Sequence, residues 1–386
     1  SKSSNLSEVT ILIPAKNAEK TLTRAFNSSL ECNPSKVIIA DHGSSDGTNK
    51  IIQKLNQKIV QFVDAKACKT IGEVRQNLLD LSETEFSVWL DADDELLPGR
   101  VHKIISSLKK NHADLYFDAC ELVQDDKTKI LPMPDFATSY PKAHCRNFER
   151  CFLPAPGVPG MRTEYAKKIG YDPAFKTAED YDFLLRASVN GGAFFFDSKV
   201  GYRQHHSPNS LSRNLEQQTA FTSLALSKHS LEKVSRLYEA NDWNKRIQRW
   251  VIIQMTTFLC DYSKAIDLVN QLEEDLGAPD SILEPAGIYP YPESWMINFW
   301  KGTLYLLQGS LETSMHYLIK AKNIMASPET SNNLGVCLSL LSKPALAKNL
   351  FKDALAKKEN YFDARENLKT KYPQFITKFP LRYLST

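Results

Sequence analysis

No stretch of the 386 residues stays apolar for long enough to span a bilayer. The best, around Trp250–Leu259, is broken by Gln254 and two threonines. CxxC pairs and disulfide-framework spacing are also missing. The seven cysteines (Cys32, Cys68, Cys120, Cys145, Cys151, Cys260, Cys337) therefore read as free thiols in a reducing compartment. There is little net charge: 48 Lys and Arg stand against 45 Asp and Glu, a formal +3 with no dense basic block. That balance argues against nucleic acid, while a mildly basic surface can still rest near anionic lipid. The opening Ser1–Ser7 is polar and reads as neither signal peptide nor anchor. The expectation is a cytoplasmic protein, peripheral at the membrane if it touches one at all.

The rest of the composition is that of a soluble globular protein, 42% hydrophobic and 24% charged, and too long for one ordinary core. The first third alternates apolar strands with short helical segments, as parallel, right-handed α/β sheets do. Strands are expected at 9–13, 36–40, 59–63, 86–90 and 115–122, and helices at 20–30, 48–55 and 71–81. The Pro-rich stretch 131–160 reads as a long irregular binding loop or lid. Its aromatics Phe136, Tyr140, Phe148 and Phe152 would either stack on a ligand or anchor the loop, and anchoring is the reading adopted.

Chemistry gathers where the strands end. Phe86–Leu90 is a buried strand followed at once by Asp91-Ala92-Asp93-Asp94, and ligands of open α/β sheets bind at the carboxyl ends of strands. Two carboxylates one residue apart suit a hard dication whose remaining positions are filled by substrate phosphates. The bland alternative is an acidic turn capping the next helix. Pro14 ends the first strand without wasting a ladder donor, leaving nearby backbone groups for a flat ring. Asp41 ends the second, suited to a base N–H or a ribose hydroxyl. The Gly43–Gly47 turn that follows lets backbone approach a ligand, and Asp46 is placed to cap the next helix. Singly each is a turn or a cap. In this order they point to a nucleotide site.

Ile-Pro-Ala-Lys-Asn (13–17), Ala-Asp-His-Gly-Ser-Ser-Asp-Gly-Thr (40–48) and Trp-Leu-Asp-Ala-Asp-Asp-Glu-Leu-Leu-Pro (89–98) resemble the family-2 inverting glycosyltransferases of the GT-A fold. The likeness continues in Tyr171-Asp172-Pro173, in 178–186 with Glu179-Asp180, and in Tyr202-Arg203-Gln204-His205, spanning about Val9–Arg213. It implies a Rossmann-like α/β domain with a mostly parallel sheet over 1–215. It implies transfer of a hexosyl or N-acetylhexosaminyl group from a nucleotide diphosphate donor, a UDP-sugar, to a hydroxyl on a glycan, lipid or protein. Asp93, second acid of the DxD motif, would hold Mn2+ or Mg2+, which as a Lewis acid offsets the charge developing on the leaving diphosphate. Asp91 would lie nearer the ribose or a metal-bound water, Ala92 beside it would contact the nucleotide-sugar, and Pro14, Ala15, Lys16 and Asp41 would line the base and ribose. Arg75 matches a position facing the nucleotide, and His205 would approach the metal or phosphates. Inversion needs a base opposite the leaving group. Asp180 would take that role, with Glu179 positioning the acceptor and Asp182 the rival base. Where many relatives carry two acids, this chain has Asp41-His42, which leaves the base contact open between Asp41 alone and His42 as a substitute.

Beyond Glu216 the texture is helical. Gly302 and Gly335 stand 33 residues apart at matching first-helix positions, and Ser314–Ala321 and Ala345–Ala354 match as second helices. This resembles a degenerate tetratricopeptide pattern over 216–386, with 241–277 an earlier copy carrying Ala265 in a small-residue position. Such an array would serve a protein partner, an acceptor or a second copy of the chain. The competing reading is a catalytically silent nucleotide-sugar fold acting through its helices. A nucleotidyltransferase would want a Gly-rich, basic loop that Pro14–Asn17 does not supply.

Overall fold

The computed structural model describes residues 8–55, 58–139, 141–206, 215–276 and 291–378. It comprises two compact units, Ser1–His229 and Ser230–Thr386. The first is built from strands β1 Val9–Ala15, β2 Lys36–Asp41, β3 Val60–Asp64, β4 Phe86–Trp89, β5 Glu95–Leu96, β6 Leu115–Gln124, β7 Lys127–Leu131, β8 Gly160–Arg162 and β9 Phe194–His205. Its helices are α1 Leu22–Leu30, α2 Thr48–Lys54, α3 Ile71–Leu81, α4 Arg100–Lys110, α5 Asp135–Ser139, α6 Thr163–Ile169, α7 Glu179–Asn190 and α8 Leu215–Ser227.

All nine strands join one sheet in the order β3-β2-β1-β4-β8-β6-β9-β5, with β7 paired to β6. β1 is parallel to both β2 and β4, Leu12 standing opposite Ile38 on one side and Trp89 on the other. Its run Val-Thr-Ile-Leu-Ile is buried throughout, as a parallel strand covered on both faces must be. The chain leaves β1 towards β2 and β3 and then returns to β4 on the other side. The crevice at this switch point, between the carboxyl ends of β1 and β4, is where such sheets bind ligands. The mostly parallel α/β architecture is therefore as expected.

Helix α3 begins sharply because the Thr70 hydroxyl accepts the Glu73 N–H. Its first turn also meets the 172–175 loop main chain to main chain. Gly72 N–H donates to Phe175 O, Thr70 Oγ1 donates to Pro173 O, and a Cβ on Gly72 would come within 2.1 Å of Asp172 O. The stretch expected to be irregular contains α5 and a 3-10 segment, Pro141–Phe148. Phe136, Phe148 and Phe152 are buried there, Phe136 edge-on to Phe152 and Phe152 edge-on to Phe196, so they are anchors. Tyr140 lies outside the described residues. The first unit extends to His229, because α8 packs on α7.

Among the described residues the regular elements of the second unit are all helices: α9 Leu231–Ala240, α10 Lys245–Phe258, α11 Tyr262–Leu276, α12 Glu293–Leu307, α13 Leu311–Ile324, α14 Pro328–Leu340, α15 Pro344–Lys357 and α16 Phe362–Lys369. Pro328 and Pro344 stand in the first turns of α14 and α15, where no N–H is required. Consecutive helices pack as hairpins, and the two glycines are crossing points. A Cβ on Gly302 would lie 2.6 Å from Leu318 Cγ, and one on Gly335 2.6 Å from Phe351 Cε1. Ala265, Ser314 and Ala347 are each the fourth residue of the second helix of a hairpin, and all are buried. The residue at the glycine position of the α10/α11 pair is accordingly Ile253. Gly302→Val should overpack this crossing and lower the stability of the helical unit by about 1–3 kcal/mol, read as a fall in its unfolding midpoint.

Candidate functional site

The carboxyl ends of β1 and β4 border a cleft of about 420 Å³, lined among others by Pro14, Ala15, Lys16, His42, Arg75, Asp91, Ala92 and Asp93. Seven of the residues expected to touch the donor or the metal thus share one wall. A larger cavity, about 660 Å³, lies at the amino-terminal end of β9 around Lys142, His144 and Phe194–Phe196 and is lined by no carboxylate.

The turn after β4 is held from several sides. Thr21 Oγ1 donates to Ala92 O at 2.9 Å, and Arg24 Nη2 donates to Asp93 O at 2.9 Å. Asp94 points inward and is a structural knot. Tyr202 Oη donates to its Oδ2 at 2.9 Å, His205 N–H donates to its Oδ1 at 2.9 Å, and Asp91 N–H donates to the Tyr202 hydroxyl. Burial, reinforced by the charges of Asp91 and Asp93, pushes the Asp94 carboxyl up to about 9. Asp93 is exposed, and its carboxylate makes no hydrogen bond or ion pair among the described residues.

Arg75, reaching from α3, is buried at the centre of the site. Its Nε donates to Glu179 Oε1 at 3.0 Å, Nη1 to Gly157 O at 3.1 Å and Nη2 to Asp91 Oδ1 at 3.4 Å. Its guanidinium lies 4.7 Å from the centre of the Trp89 ring. Burial opposes its charge, but Glu179 and then Asp91 hold its pKa above the ordinary arginine value. One cation thus joins the turn after β4 to the start of α7, where Ala178, at φ 57°, turns the chain into Glu179-Asp180.

Asp180 is half-buried beside this cation. Its Oδ1 accepts the Tyr181 N–H, and its Oδ2 lies 3.2 Å from where a Cβ on Gly157 would stand. Burial, with the Glu179 charge behind it and Arg75 opposing, pushes its carboxyl up to about 7. Burial likewise lifts Asp91, to about 6, with Arg75 opposing and Asp93 and Glu179 adding repulsion. Asp182, by contrast, is fully buried between Arg186 at 2.9 Å and Lys228 at 2.8 Å. It holds α7 to α8 and is not placed to take a proton.

Two expected contacts are directed elsewhere. Asp41 is buried and turned into its own loop, accepting Ser44 N–H at 3.0 Å and Asn49 Nδ2 at 3.2 Å, whereas His42 lines the cleft. The His205 ring is engaged by Glu95, Nε2 to Oε2 at 2.7 Å. The next residue, His206, is the one that feels the Asp93 charge, which offsets in part the lowering of its pKa by burial. Sequence reasoning missed His206. The only signal for it was its place beside His205 at the end of β9.

Residues 10–170 match the family described as Glycosyl transferase family 2. The first unit belongs to that family. This glycosyltransferase unit is similar to the succinoglycan biosynthesis protein ExoU of Rhizobium meliloti, 25% identical over 254 residues covering 61% of this chain and 68% of that protein. It is also similar to the processive diacylglycerol beta-glycosyltransferase of Mycoplasma genitalium, 31% identical over 137 residues, covering 32% of this chain and 40% of the relative. Among solved structures, TarS 1–349 of Staphylococcus aureus in complex with UDP-GlcNAc superposes with a TM-score of 0.49 at 14% identity, covering 92% of this chain and 93% of that one.

Among the described residues no group of three or more His, Cys, Asp or Glu side chains forms a ready-made metal cage. The donor set, one unengaged carboxylate at Asp93 opening on the cleft, suits a hard dication whose other positions are taken by substrate phosphates and water. No helix among them is long and apolar enough to cross a membrane.

Proposed function

We propose that this chain is an inverting glycosyltransferase that moves a sugar from a nucleotide diphosphate, a UDP-sugar, to a hydroxyl acceptor. The observation that carries the reading is the Arg75 cluster. A single buried cation ties Asp91 of the cleft to Glu179, next to an aspartate whose proton affinity is raised into the working range. In this reading the nucleotide lies against Pro14, Ala15, Lys16 and His42, and Asp91 faces the ribose. Asp93 would hold Mn2+ or Mg2+, aided by His206 rather than His205. When bound, the cation supplies charge neutralisation to the departing diphosphate. Asp180 takes the acceptor proton, and Glu179 keeps Arg75 and Asp180 in place. The beta linkage named for the Mycoplasma relative is the product that inversion of an α-linked donor gives.

Calorimetry with UDP and Mn2+ tests this. The chain should bind UDP with metal-dependent heat, and Asp93→Asn should lose that dependence and with it transfer. A wild-type chain giving no heat with any combination of UDP and metal would favour the silent-scaffold reading.

A further inference from the structure

Three asparagines buried in the helical unit bond a polypeptide main chain as well as neighbouring side chains: Asn367 Nδ2 donates to Asn332 Oδ1 at 2.9 Å, Asn332 Nδ2 to Asn333 Oδ1 at 3.1 Å, and Asn333 Nδ2 also to Thr303 Oγ1 at 3.0 Å. Beyond α16, residues 370–378 form neither helix nor strand and run along α14 and α16. Asn333, from α14, accepts the Thr377 N–H at 2.8 Å and donates to Thr377 O at 2.9 Å. Asn367, from α16, does the same to Phe375, accepting its N–H at 2.9 Å and donating to its carbonyl at 2.9 Å. Asn332 adds a second donor to Phe375 O, at 2.8 Å. All three are at most 1% exposed.

In an extended chain alternate residues turn their N–H and C=O to the same side. The carboxamides of Asn333 and Asn367 engage Thr377 and Phe375, two residues apart, and so stand in for a neighbouring strand. Buried amides carry a large desolvation penalty unless satisfied, and asparagine is a poor helix former. Three of them on adjoining helices therefore form a cross-linked network whose remaining donors and acceptors are met by main chain. Side chains add some selection. The Thr377 hydroxyl donates to Asp363 Oδ2 at 2.6 Å and meets the Tyr361 hydroxyl, and Phe375 packs edge-on against Phe362.

We propose that this groove is a binding site for an extended polypeptide segment supplied in trans, one with a threonine hydroxyl two residues after an aromatic. Residues 374–377 occupy it as an internal ligand that such a segment displaces. The inference is independent of the sugar-transfer reading, and it gives the helical unit a partner chemistry: polypeptide main chain.

The test uses a fluorescein-labelled peptide of residues 371–378 (Lys-Tyr-Pro-Gln-Phe-Ile-Thr-Lys) and the full chain. Thr377→Pro in the chain removes both the N–H and the hydroxyl, and so should vacate the groove. The peptide should bind that variant at least tenfold more tightly than it binds the wild type. Adding Asn333→Ala should weaken binding about tenfold or more, since the peptide's groups are then left unpaired. A folded Thr377→Pro chain that binds no better than wild type would overturn the proposal, as would binding indifferent to Asn333→Ala. Should that variant not fold, amide hydrogen exchange on the wild type decides. The Phe375 and Thr377 amides should exchange at least tenfold faster than those of the α14 interior, and exchange in step with α14 would show that the segment never leaves.

Discussion

Asp180→Asn should reduce the turnover rate by about 10²–10⁴-fold while leaving donor affinity unchanged, because a positioned general base contributes that much and touches only the acceptor. The amide keeps the shape of the side chain and the Tyr181 N–H contact at Oδ1, so stability should move little. The pH profile gives the sign independently. A base acts deprotonated, and burial together with Glu179 pushes this carboxyl up to about 7. The wild-type rate should therefore level off above that pH and fall about tenfold per unit below it. The residual rate of Asp180→Asn should lack this acid limb. An undiminished rate would remove Asp180 from the reaction, and an acid limb that persisted unchanged would assign the titration to another group.

Arg75→Met should strongly destabilise the first unit. It removes a buried cation that three acceptors share, and breaking a buried ion pair by deleting one partner costs about 3–5 kcal/mol. Asp91, Glu179 and Asp180 would be left facing one another without compensation. The Asp180 carboxyl, which Arg75 now restrains, should rise further, so any surviving activity should show its acid limb displaced to higher pH. Arg75→Lys should recover part of the stability but not the geometry, because an ammonium cannot serve Glu179, Gly157 and Asp91 with a planar fork. Thermal unfolding and the pH–rate profile of the two variants separate the structural loss from the electrostatic one. Equal stability of Arg75→Met and wild type would refute the central place given to this residue.

What could be read in the sequence was whatever repeats over short distances. Val9–Ile13 and Phe86–Trp89 are continuous apolar runs because both faces of a parallel strand are covered, and acids directly after such a run mark a strand end. Contacts that depend on distant partners were not legible. The link from Arg75 to Glu179 spans 104 positions and exists only because α3 and α7 meet. β8 has three residues and no period, yet it joins β4 to β6. Asp41 looked like a ligand contact from its position, but an aspartate beside a turn readily bonds its own loop, and here it does. His205 and His206 could not be told apart without knowing that the His205 ring meets Glu95. Ala265 reads as a small residue from the sequence alone, but assigning it to the second helix requires knowing where α11 begins.

Gly72 has a mechanical consequence. At Gly72 helix α3 touches the 172–175 loop through bare backbone, and the Thr70 hydroxyl pins the same loop at Pro173 O. That loop leads straight into Ala178 and the acids behind it, and α3 carries Arg75. The two therefore behave as the arms of one rigid lever. Whatever hinge admits an acceptor must lie outside that pair, since sliding one against the other would drive main chain into main chain.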